Sequence, residues 1–99
     1  MLKHYTKEED FNEIIKSKVL VDFYADWCGP CKMLAMEIEK VVSEIDIDII
    51  KVNVDEYEEL ARKYGVMSIP TLVLFDNSNE IKRNIGFISK DKIKDFIED

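Results

Sequence analysis

Ninety-nine residues with 46% hydrophobic content suffice for a single domain over 1–99, long enough to bury about two-thirds of its unfolded surface. A formal charge of −7, from 14 basic against 21 acidic residues, argues against a nucleic-acid or anionic-membrane surface, and no apolar run is long enough to span a bilayer. Met1-Leu2-Lys3-His4-Tyr5 lacks the apolar centre of a signal peptide, so a soluble, cytoplasmic monomer is expected.

Thr6 can cap a first helix whose opening turn carries Glu8-Glu9-Asp10, with Phe11, Ile14 and Ile15 on its buried face and an end near Ser17-Lys18. Val19-Leu20-Val21-Asp22-Phe23-Tyr24-Ala25 is almost continuously apolar, as expected of a central parallel strand covered on both faces; Asp22 is its anomaly. A long amphipathic helix over 28–44 turns Met33, Leu34, Ile38, Val41, Val42 and Ile45 inward, and Lys32, Glu37, Glu39, Lys40 and Glu44 mostly outward. Ile47 to Val54 reads as the next strand, so these three elements form a right-handed parallel crossover unit. A short helix from Glu56 to Tyr64 is closed by Gly65, after which Ser68-Ile69-Pro70 interrupts the pattern. Thr71 to Phe75 and Glu80 to Ile85 read as an antiparallel hairpin joined by Asp76-Asn77-Ser78-Asn79, with Gly86 weakening or ending the second strand. Ser89 can cap a last helix that buries Ile93, Phe96 and Ile97. The order βα, βα, ββα predicts an α/β fold with a central mixed β-sheet, a parallel βαβ unit plus an antiparallel ββα unit, flanked by helices.

Chemistry concentrates at Trp27-Cys28-Gly29-Pro30-Cys31, which holds both cysteines of the chain. In a helix starting near Cys28, positions i and i+3 share a face, so the two sulfurs can close a small disulfide ring. Proline suits the first helical turn and Gly29 adds no Cβ beside Cys28. Unpaired N–H groups at the helix start favour a thiolate there, which makes Cys28 the nucleophile; lowering a thiol from about 8.5 to about 7 needs roughly 2 kcal/mol, within reach of a helix terminus. Its sulfur is expected to be exposed, and Cys31, one turn further in, to be more buried and suited to resolving a mixed disulfide. A zinc half-site would need two more strong ligands, and the chain offers only His4. A purely structural disulfide closing so short a loop would gain little. No metal and no cofactor are expected beyond the cysteine pair itself.

Val21-Asp22-Phe23, Ala25-Asp26-Trp27-Cys28-Gly29-Pro30-Cys31-Lys32, Lys51-Val52-Asn53-Val54-Asp55, Ile69-Pro70-Thr71 and Gly86 together resemble the thioredoxin family over essentially the whole chain. The chain departs from the family pattern at Met36, where a helix-kinking proline is usual, at the glycine-free turn Asn77-Ser78-Asn79, and at Tyr24, often tryptophan. The resemblance implies the thioredoxin fold and a protein-disulfide reductase. In this reading Cys28 attacks, Cys31 resolves, and Asp22 accepts the proton of Cys31, its pKa raised by burial and moderated by Lys51; a plain ion pair with Lys51 is the alternative. The resemblance also implies a cis Ile69-Pro70 bond, with Ile69 offering its backbone to an extended substrate peptide. Gly86 leaves room nearby, and Trp27 with Gly29 and Pro30 forms a flat apolar contact surface, although Trp27 can also be ordinary packing. A flavin-containing thioredoxin reductase and disulfide-bearing proteins are the implied partners. A thioredoxin-fold oxidant or isomerase, or a non-catalytic binding subunit, are the competing readings.

Overall fold

The computed structural model describes residues 1–98. Its sheet has five strands in the order β1-β3-β2-β4-β5: β1 (Leu2–His4), β2 (Val19–Tyr24), β3 (Asp48–Asn53), β4 (Thr71–Asp76) and β5 (Asn79–Ile85). β3 runs parallel to β1 and β2, whereas β4 is antiparallel to β2 and β5 to β4, which is the expected mixed arrangement. The helices are α1 (Phe11–Ile14), α2 (Gly29–Val41) with a 3₁₀ turn over Val42–Glu44, α3 (Glu58–Lys63) and α4 (Lys90–Glu98).

Alternation along the strands divides the core between the two faces. Val19, Val21 and Phe23 of β2 join Ile50, Val52, Val73 and Phe75 beneath α1 and α3, while Leu20 joins Ile49, Leu72 and Leu74 beneath Leu34, Ile38 and Val41 of α2 and Ile93 and Ile97 of α4. Each such side chain fully buried contributes about 1.5–3 kcal/mol. Asp22 follows Leu20 on the α2 face, and its register partner on β3 is Lys51.

Five expectations need correction. β1 was not anticipated: three residues without an apolar alternation carry no local signal, and the strand exists because Leu2, Lys3 and His4 pair with Ile49, Ile50 and Lys51. The first helix is capped by Asp10, whose carboxylate accepts the Asn12 amide at 3.0 Å, so Thr6 to Glu9 form a separate turn, and the helix ends at Ile14 rather than near Ser17. The long helix is regular only to Val41. Met33, expected inward, is 55% exposed, because Leu34 and Ile38 define the stripe and the position before Leu34 is rotated out of it. Glu37, expected mostly outward, turns its carboxylate onto the first amide of α4, accepting from Lys90 at 2.9 Å. The hairpin turn does without glycine by placing Asn77 and Ser78 at φ 53° and 69°, and their amides bond the carbonyls of Lys16 and Ile15.

Candidate functional site

β2 ends at Tyr24, and the chain turns through Ala25, Asp26 and Trp27 into Cys28, which caps α2 in an extended conformation. Gly29 and Pro30 form the first turn, where the absent proline N–H removes no intrahelical bond. Cys28 and Cys31 are joined as a disulfide with Cα atoms 5.2 Å apart. The Cys31 amide donates to Cys28 Sγ at 3.2 Å, so a helix-start N–H is aimed at that sulfur, a placement that favours negative charge there. Cys28 is not the open sulfur expected. It is 5% exposed against 2% for Cys31, because the loop bearing Ile69 closes over it, with the Ile69 carbonyl oxygen 3.9 Å from Sγ. Position at the helix end, more than exposure, distinguishes the two thiols.

The Ile69-Pro70 bond is cis. Its loop is held by the Thr71 hydroxyl, which donates to the Ser68 carbonyl at 2.6 Å, and by the Gly86 amide, which donates to the Pro70 carbonyl at 2.8 Å. Gly86 sits at φ +100°, a conformation L side chains rarely adopt, although a Cβ there would meet nothing within 4 Å. Backbone conformation demands the glycine, and the space beside it stays open. Trp27 is 70% exposed, so packing does not explain it; its indole N–H donates to Asp55 Oδ2 at 2.8 Å, which restrains the ring.

Asp22 is completely buried, and both of its carboxylate oxygens lack a hydrogen bond. Lys51 Nζ stands 3.6 Å away, beyond hydrogen-bond reach, so the pair attracts by charge alone. Burial pushes the Asp22 carboxyl up to about pH 6, with Lys51 holding back the rise. Lys51 also lies 4.5 Å over the Tyr24 ring, whose hydroxyl is 3.4 Å from His4 Nδ1. Lys51, Tyr24 and His4, with Cys31, Lys32 and Asp26, line a cleft of about 240 Å³. A larger cleft of about 570 Å³, lined by Tyr5, Tyr57 and the acidic stretch 55–59, contains neither cysteine. Among the described residues, no group of three or more His, Cys, Asp or Glu side chains is placed to hold a metal ion, and no helix is long and apolar enough to cross a membrane.

The structure therefore brings Cys28, Cys31, Gly29, Pro30, Ile69, Pro70, Gly86 and Trp27 to one end of the sheet, with Asp22 and Lys51 inside that end. Sequence reasoning missed Asp55, His4 and the contact between Tyr24 and Lys51. Asp55 lies two residues beyond the end of β3 and could have been placed by the parallel register, but His4 depends on the unanticipated β1.

The thioredoxin family model matches residues 2–99. The chain belongs to the thioredoxin family. It is 48% identical over 81 residues to a thioredoxin of Mycoplasma genitalium, covering 81% of this chain and 79% of that one. With a Chlamydia caviae thioredoxin it shares 46% identity over 87 residues, 86% and 85% of the two chains. Among solved structures, a mutant thioredoxin from Halobacterium salinarum NRC-1 superposes with a TM-score of 0.84 at 40% identity, over 99% of this chain and 87% of that one. The reduced Schistosoma mansoni thioredoxin pre-protein gives a TM-score of 0.86 at 36% identity, over 98% and 95%. Family and disulfide together make this chain a thiol–disulfide oxidoreductase, a protein-disulfide reductase of the thioredoxin type with a Cys28–Cys31 redox centre.

Proposed function

We propose that this chain is a general, cytoplasmic, monomeric single-domain reductant of protein disulfides in which the two cysteines divide the work. The Cys28 thiolate attacks one sulfur of a substrate disulfide, forming a mixed disulfide and releasing the other substrate sulfur, which takes a proton. Cys31 then passes its proton to the Asp22 carboxylate and attacks Cys28 Sγ, releasing the second substrate thiol and leaving the Cys28–Cys31 disulfide. Two electrons move from the dithiol to the substrate, and a flavin-containing thioredoxin reductase restores them; the chain itself needs no cofactor. Substrate lies extended against the Ile69 backbone before cis Pro70, over Gly29 and Pro30, with Trp27 and Gly86 flanking it. Lys51 keeps Asp22 low enough in pKa to remain a base near neutral pH.

The observation that carries this reading is the Cys31 amide directed at Cys28 Sγ, with a buried, hydrogen-bond-free carboxyl at Asp22 on the strand that leads into the cysteine turn. The test is trapping. With a disulfide-bearing protein such as insulin, Cys31→Ser is expected to accumulate a mixed disulfide through Cys28, and Cys28→Ser to form none. Accumulation through Cys31 in the Cys28→Ser variant, at the rate seen with Cys28, would reverse the roles.

A further inference from the structure

The C-terminus of α3 ends in a Schellman turn: the Gly65 amide bonds the Arg62 carbonyl at 3.1 Å, and the Val66 amide reaches back to Ala61 at 2.9 Å, with Gly65 at φ +64°. That turn leaves the carbonyls of Tyr64 and Gly65 pointing past the helix end. Both are met by one side chain from another element. Arg83, on β5, donates through Nη2 to Tyr64 O at 2.6 Å and through Nη1 to Gly65 O at 3.4 Å. Glu80 grips the adjoining Nε–Nη2 edge of the same guanidinium, its Oε2 accepting from Nε at 2.8 Å and its Oε1 from Nη2 at 2.7 Å. A planar guanidinium held on one edge by a bidentate carboxylate has little freedom left, so the carbonyls it binds are fixed relative to β5. Arg83 and Glu80 are both partly shielded, with side chains 27% and 34% exposed, which weakens competition from water.

The segment secured in this way leads directly to the disulfide. From Gly65 the chain passes through Val66, Met67 and Ser68 to Ile69, whose carbonyl lies 3.9 Å from Cys28 Sγ. Its far end is tied by Thr71 and Gly86. Between the two ties Val66 packs on the core beneath α1 and α3 and Ile69 on the cysteines, while Met67 stands 95% exposed, so the middle of the span takes no support from its own side chain there. β5 itself ends at Ile85, one residue before Gly86, so the strand that carries Arg83 also carries the tie at the far end.

We propose that Arg83, oriented by Glu80, is a positioning residue for substrate docking: it sets the entry end of the 65–70 loop and thereby aligns the Ile69 backbone with the Cys28 sulfur. Arg83 touches neither substrate nor sulfur. The inference rests on the reading that Ile69 pairs with the substrate main chain. Arg83→Gln loses the charge and the fork and should raise KM for a disulfide-bearing protein about three- to tenfold with kcat nearly unchanged, a modest share of what a misplaced docking group can lose. Arg83→Lys keeps the charge but cannot bridge two carbonyls and a carboxylate, so it should rescue only part of the loss. Glu80→Gln should fall between wild type and Arg83→Gln.

The test compares two peptide disulfides that differ only by N-methylation of the residues flanking the cysteine, which removes the amides that strand pairing requires. Wild type should prefer the unmethylated peptide, and Arg83→Gln should lose most of that preference while its urea midpoint shows it folded. No preference in wild type overturns the docking reading itself. A preference in wild type that Arg83→Gln retains in full overturns the role of Arg83 and leaves the docking reading standing. If Arg83→Gln fails to fold, the same comparison on Glu80→Gln and Arg83→Lys decides between these outcomes.

Discussion

The two faces of the sheet bury similar amounts of chain in different ways. Beneath α1 and α3 the core is free of charge and adds a linked set of rings to its aliphatic side chains: Tyr5 and Phe11 lie 5.6 Å apart, Phe11 and Phe75 5.9 Å, and Tyr64 and Phe75 5.2 Å, all in edge-on contact. Beneath α2 and α4 the buried cluster is wholly aliphatic, and at its Cys31 end the sheet carries Asp22 and Lys51. Aliphatic side chains accommodate a helix that has to hold a reacting sulfur, whereas linked rings fix geometry. Both faces supply stability, and the second gives some of it up by burying a carboxyl that water would otherwise solvate.

The largest effect that would break this division comes from the aromatic face. Phe75→Ala removes a ring in contact with both Phe11 and Tyr64 and should lower stability by about 3–5 kcal/mol, read as a fall in the urea midpoint, while the folded variant still reduces insulin at near the wild-type rate. A lost rate with unchanged stability would mean that the faces are not separable.

Asp22→Asn should act in the opposite sense. A carboxyl raised from 3.8 to about 6 in the folded chain destabilises it: the penalty is absent below pH 4, grows from there to about pH 6, and is complete above it. Two pH units correspond to about 3 kcal/mol. Leaving Lys51 without its partner offsets part of this, so the oxidised variant should gain about 1–2 kcal/mol at pH 7 to 8 and nothing at pH 3.5. Resolution of the mixed disulfide should slow more than its formation, measured by stopped-flow mixing with a chromogenic disulfide. A variant less stable at pH 7 and equally fast would make the pair structural.

Smaller effects sharpen the picture at the site. In the reduced protein, limiting iodoacetamide at neutral pH should label Cys28 several-fold ahead of Cys31, since the two differ little in burial and the helix-start amide favours the first thiolate. Peptide mapping decides it, and preferential labelling of Cys31 would reverse the assignment. Trp27 emission should also change between the oxidised and reduced forms, the disulfide quenching a neighbouring indole. Asp55→Asn should reduce that contrast by loosening the ring, and an unaltered spectrum across redox states would show that the ring points away from the sulfurs.

Period and punctuation made most of the fold legible. The unbroken apolar run of β2, the stripe Leu34, Ile38, Val41 and the break at Ile69-Pro70 all lie in the sequence at the spacing that burial imposes. Local pattern was silent where the structure depends on distant partners. β1 forms only because β3 offers an edge, Met33 faces solvent because its neighbour takes the groove, and Asp10 wins the cap because its carboxylate reaches the Asn12 amide. At the site, motif residues could be picked out because their chemistry requires that spacing. Arg83 could not, since a basic residue beside Lys82 on an edge strand reads as solubility until Tyr64 and Gly65 are seen beneath it.

The tie between Glu37 and the first amide of α4 has a consequence for biosynthesis. A chain made from its N-terminus produces β2, both cysteines and α2 early, but the aliphatic side of α2 has no cover until Ile93 and Ile97 emerge. Ile69, which shields Cys28, is also synthesised after it. The cover over Cys28 and over the aliphatic side of α2 is therefore contributed by segments made after them, and both are complete only when the C-terminal part of the chain has folded back.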